Sequence, residues 1–126
     1  MGFEFNKLLD TEFLQALYMD DTLYAEEVFG NFLKQTEAEI MKLDDLANTG
    51  DIHKFRAQLH KIKPTFSLVG LSNLTHESEK LLSICDTSSD FDIILSQYKL
   101  WLLLARQWIP FAGEEYQRLQ TYNQRQ

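Results

Sequence analysis

A histidine with a lysine three residues after it is the pair in this chain best suited to covalent chemistry. His60 and Lys63 stand within Phe55-Arg-Ala-Gln-Leu-His-Lys-Ile-Lys-Pro-Thr-Phe-Ser-Leu-Val-Gly70. A solvated imidazole is in good part neutral near pH 7 and can act as a nucleophile. On a helix, Lys63 would stack about one turn from His60 and bring a cation to any anion the ring carried. With successive residues turning by about 100°, Phe55, Leu59, Ile62, Phe66 and Val69 fall within roughly 80° of one another and form a core face. His53, Arg56, Ala57, His60, Lys63, Pro64 and Ser67 fall on the opposite side, which is polar and small. The pattern therefore predicts that His60 faces water rather than the core, although an ordinary surface histidine has the same spacing.

Beyond that pair, the string has an apolar residue two places after the histidine (Ile62), a small residue seven places after it (Ser67) and a glycine ten places after it (Gly70). With His60 and Lys63, these five positions closely resemble the phosphoacceptor helix of histidine-containing phosphotransfer (HPt) domains. The family most often has glycine directly after the lysine, where this chain has Pro64. Proline keeps the surface low but cannot donate to the carbonyl of residue 60 and crowds it, which predicts a kink at the histidine. Outside this helix the resemblance is a matching order of helices.

That resemblance implies a phosphorelay intermediate rather than an enzyme with its own ATP site. His60 would take a phosphoryl group from the aspartate of a receiver domain, in a hybrid kinase or a response regulator, and pass it to another receiver. Lys63 would offset the phosphate charge and Ser67 would supply a hydrogen bond. Arg56, Ala57, Pro64 and Gly70 would form the docking surface, with Leu17, Met19 and Tyr24 extending it. The chain would need no cofactor, because Mg²⁺ would belong to the receiver. The rival reading is a non-catalytic helical adaptor, or a kinase-regulating relative of the family, in which His60 is incidental.

Other chemistries find little support. His53 and His60 would be ~10.8 Å apart along a helix, too far to share a metal without further ligands. Asp44-Asp45 and Glu114-Glu115 are adjacent in sequence, point different ways on a helix and read as solvated surface charge. Ser67 has no oriented third group for a hydrolytic triad. Neither glycine-rich phosphate loop is present. A formal net charge of -7 would repel a phosphate backbone, so nucleic acid is not an expected partner. The longest apolar run, Leu100 to Ala105, falls far short of the ~20 residues of a membrane span. Nor does the N-terminus read as a signal peptide. The lone Cys85 suits a reducing, cytoplasmic compartment, and the protein is expected to act as a monomer.

The elements that must hold His60 in place are helices. A length of 126 residues suits one domain, and 44% hydrophobic content suits a folded core. After a lead from Met1 to Asn6, which either packs or frays, Asp10 or Thr11 can cap a short helix carrying Phe13, Leu14, Leu17 and Tyr18. Asp20 to Thr22 can cap a long helix with its apolar stripe from Ala25 to Leu46 or Ala47, ended by Asn48-Thr-Gly50. Gly30 within it points to a close helix contact. Asp51 can start the helix of His60, and Gly70 can end it. Ser72 or Asn73 can cap a fourth helix, Leu71 to Cys85, followed by the loop Asp86-Thr-Ser-Ser-Asp90. A fifth helix runs from Phe91 until Pro110 kinks or stops it, with Glu114 to Gln120 able to resume. The expected fold is all-α: an up-and-down four-helix bundle spanning residues 1–126 as one domain, with a short additional N-terminal helix.

Overall fold

Aspartates start four of the helices. In a computed structural model describing residues 2–125, the side chains of Asp10, Asp21, Asp51 and Asp90 accept from the backbone N–H groups of Phe13, Tyr24, Lys54 and Asp92. Each satisfies a donor that the first helical turn leaves open, a contribution of about 1 kcal/mol per cap. The helices they start are α1 (Thr11–Tyr18), α2 (Thr22–Thr49), α3 (Ile52–Leu68) and α5 (Phe91–Gln124), with α4 (Ser72–Thr87) between the last two. Among the described residues there is no strand, and the fold is all-α. Met1 and Gln126, the ends of the expected domain, lie outside the described residues.

The fourth helix departs from expectation. Its N-cap is Leu71, with no side-chain cap bond. Ser72 instead donates its hydroxyl to Asp10 Oδ2 at 2.6 Å, tying the start of α4 to the start of α1. The turn before it is a Schellman motif: Leu71 N–H donates to Phe66 O at 2.9 Å and Gly70 N–H to Ser67 O at 3.0 Å. Gly70 has φ +74°, and a Cβ there would lie 2.6 Å from Leu14 Cδ1. Glycine is required twice over, by backbone conformation and by the leucine packed against it.

Two-residue and three-residue connections join α2 to α3, α3 to α4 and α4 to α5, so sequential helices lie side by side. α3 packs on α2 and α4, and α5 packs on the same two, while α1 makes smaller contacts with α2 and α3. The core between them is aromatic at its centre. Phe55 meets Tyr98 edge-on at 5.3 Å, and Phe66 lies 6.1 Å from both Phe32 and Trp101. Polar groups at this depth are paired: Trp101 Nε1–H donates to Ser78 Oγ at 2.9 Å, and Ser78 donates onward to Leu74 O.

Pro110 does not stop the fifth helix, which runs unbroken from Phe91 to Gln124. The proline is exposed, whereas Ala105 and Ala112 on either side are buried and Trp108, Ile109 and Phe111 pack against the core. Packing on both sides outweighs one lost helical bond. Part of that packing is the close contact Gly30 foretold, since a Cβ at residue 30 would lie 3.0 Å from the Tyr116 ring.

The lead before α1 packs rather than frays. Phe5 is buried near Phe29 and Tyr18, and Phe3 sits edge-on to Tyr122 beneath the Arg118 guanidinium. Glu115 is therefore not solvated surface charge. It is 1% exposed and accepts from Asn6 N–H and from Arg118. Asp44 likewise has a partner, accepting from the Tyr98 hydroxyl at 3.0 Å.

Candidate functional site

The two faces of α3 are divided as the spacing predicts. Phe55, Leu59, Ile62, Phe66 and Val69 are all buried, and His53, Ala57, His60 and Pro64 are all exposed. The helix runs through Pro64 without a break. Because proline has no N–H, the His60 carbonyl lacks its usual helical donor from residue 64. His60 thus presents its ring to solvent, flanked by Ala57 and Pro64, which add little height.

Lys63 is half-buried, and its ammonium lies 3.8 Å from Glu79 Oε1 on α4. The second oxygen of Glu79 is 3.8 Å from His76 Nδ1. Ser67, also half-buried, shares a 3.1 Å hydrogen bond with the Thr75 hydroxyl across the α3–α4 interface. Both groups expected beside a phosphate therefore already have protein partners on α4. Ser67 lies two turns along from His60, ~10.8 Å of rise, and its hydroxyl is turned toward α4.

Arg56 makes a two-pronged contact with Asp86, Nε to Oδ1 at 2.5 Å and Nη2 to Oδ2 at 3.2 Å. This bond holds the Asp86 carboxyl below the usual carboxylate range. It also ties the first turns of α3 to the end of α4. The neighbouring Cys85 is buried, and burial is the main cause that pushes its thiol upward, away from the reactive thiolate. Gly70, expected on the docking surface, is buried beneath Leu14 and Leu9 and presents nothing to a partner. Its part is to end α3.

Exposed apolar side chains occur along α1 and the start of α2, and elsewhere at Met41, Ile93, Leu100 and Leu103. Leu17, Met19 and Tyr24 are exposed as expected, Met19 by 72% of its area. Phe13, Leu23 and Leu68 are exposed as well. The Tyr18 hydroxyl donates to Leu68 O at 2.6 Å, joining α1 to the last turn of α3. Leu68 was legible in the sequence: eight residues after His60, it falls about 80° round the helix and outside the core face. Glu79 was not, because it reaches Lys63 only through the packing of α4 on α3. Among the described residues, no three His, Cys, Asp or Glu side chains converge as a metal site would need. No helix among the described residues is long and apolar enough to cross a membrane.

Neither a family model, a curated protein nor a solved structure matches the chain.

Proposed function

We propose that this chain is a histidine phosphotransfer protein of the HPt type. On this reading α2 to α5 form an up-and-down four-helix bundle, with α1 across one end, and His60 is the phosphoacceptor. The observation that carries the proposal is an exposed histidine on a helix face flanked by small residues, with a lysine one turn along and a buried apolar stripe behind it.

A ring nitrogen of neutral His60 attacks the phosphorus of an aspartyl phosphate on a receiver domain. The N–P bond forms, the P–O bond to the aspartyl oxygen breaks, and the carboxylate leaves with the electron pair. The other ring nitrogen keeps its proton. The reverse sequence delivers the group to the aspartate of a second receiver. Ala57 and Pro64 let the receiver approach, and Lys63 supplies positive charge beside the phosphoryl oxygens. The protein works as a cytoplasmic monomer whose partners are receiver domains, and it contributes no ATP site. Incubation with receivers loaded from acetyl phosphate tests the proposal. Acid-labile, base-stable phosphate on the protein is the expected result, and its absence would favour the adaptor reading.

A further inference from the structure

Lys63 is more buried than the lysines nearby, although Lys61 also reaches across an interface, to Glu39 on α2. The Lys63 side chain is 26% exposed, against 61% for Lys61 and 72% for Lys80. Lys80 pairs with Glu77 on its own helix, whereas Lys63 is turned across the interface to Glu79 on α4. At 3.8 Å this is a loose ion pair, beyond hydrogen-bonding reach, and Glu79 is half exposed. Such a contact directs the ammonium without locking it.

From this geometry we propose that Glu79 is a positioning residue for Lys63, one that competes with phosphohistidine for the lysine's charge and so keeps the phosphoryl group easy to pass on. The inference rests on the phosphotransfer reading of His60. In the unphosphorylated protein the ammonium is directed to Glu79. When His60 carries a phosphoryl group, its oxygens and the Glu79 carboxylate draw on the same cation. Lys63 therefore stabilises phosphohistidine by less than an unpaired lysine would. Glu79 takes no part in the bonds made and broken: the N–P bond is exchanged for a P–O bond on the receiver, with the electron pair returning to the imidazole. Its influence falls on where that exchange comes to equilibrium.

The test is a double-mutant cycle on the phosphate distribution between this protein and one receiver. Parent, Glu79→Gln, Lys63→Ala and the double variant are each brought to equilibrium with the same phosphorylated receiver at low and high salt. Glu79→Gln should raise the equilibrium ratio of phosphate on His60 to phosphate on the receiver by about two- to fivefold at low salt, the range for a partly exposed pair. High salt should shrink the rise. In the Lys63→Ala background the same substitution should change the distribution little, because the lysine it acts through is gone. An unchanged distribution for Glu79→Gln would overturn the inference. So would an equal rise without Lys63, which would show Glu79 acting directly on the phosphate. If the parent itself takes up no phosphate, the phosphotransfer reading has failed and this inference with it. Phosphorylation of the parent with a flat cycle removes the inference alone.

Discussion

At His60 the question is whether the ring nitrogen or merely the surface around it matters, and glutamine separates the two. His60→Gln should leave the fold intact, because the side chain faces solvent, and should abolish phosphate uptake, because glutamine offers no nucleophilic nitrogen. His53→Gln, on the same face two turns earlier, should accept normally. Retained phosphate on the His60 variant, with an unchanged circular dichroism spectrum, would reject the assignment. Pro64 tests the approach to the ring. Pro64→Gly should still transfer. Pro64→Arg restores an amide and has good helix propensity, so it should fold at least as well while blocking the receiver by bulk. Transfer rates from one receiver decide it: an arginine variant as fast as the parent would mean that docking does not occur over this face.

Among the elements, the turn between α3 and α4 carries the most constraint for its length. Gly70 combines a positive φ, a would-be Cβ clash with Leu14 and a carbonyl that accepts from Asp10 N–H at 2.8 Å. Gly70→Ala should therefore cost roughly 1–3 kcal/mol, from backbone strain and overpacking together. Urea unfolding measures it, and a loss below ~0.5 kcal/mol would mean that Leu14 and the backbone relax freely. The N-terminal lead is a second such device. Buried Glu115 accepts from both Asn6 N–H and Arg118, and Arg118 donates in turn to the Glu4 carbonyl at 3.0 Å. Glu115→Ala should expose residues 2–9 to proteolysis while α2 to α5 stay folded, and limited digestion followed by mass spectrometry would reveal cleavage there. Uniform resistance of parent and variant would mean that the aromatic contacts of Phe3 and Phe5 and the Arg118 bond to the Glu4 carbonyl suffice as the anchor.

For the molecule as a whole, two buried tyrosines set an alkaline limit. Burial is the main cause that raises the Tyr18 and Tyr98 phenols above the ordinary value near 10, with Tyr24 adding to the first and Asp44 to the second. Below pH ~10 both folded and unfolded chains keep these protons, and the stabilisation is fully present. As pH rises past that value the unfolded chain loses them while the folded chain holds them. The unfolded state then binds fewer protons, and the unfolding free energy falls, by up to about 1.4 kcal/mol per pH unit for each tyrosine. Unfolding midpoints should fall as pH rises from about 10 to about 12, and Tyr98→Phe should make the decline shallower. An equal slope in that variant would remove Tyr98 as a source.

Periodicity in the sequence was enough to establish the helices and the side of α3 on which His60 lies, because both depend on residues within a few turns of one another. Capping aspartates at residues 10, 21, 51 and 90 and the glycine stops at 50 and 70 are local signals of the same kind. What lay beyond local reach was every contact between residues far apart in the chain. Ser72 reads as a cap until Asp10, 62 residues earlier, claims its hydroxyl. Pro110 reads as a stop until packing on both sides carries the helix past it, and Glu115 reads as solvated until the N-terminal lead covers it. Gly70 reads as surface until Leu14 and Leu9 lie upon it. The pairing of Lys63 with Glu79 belongs to the same class, for a charge finds its partner only once α3 and α4 are packed side by side.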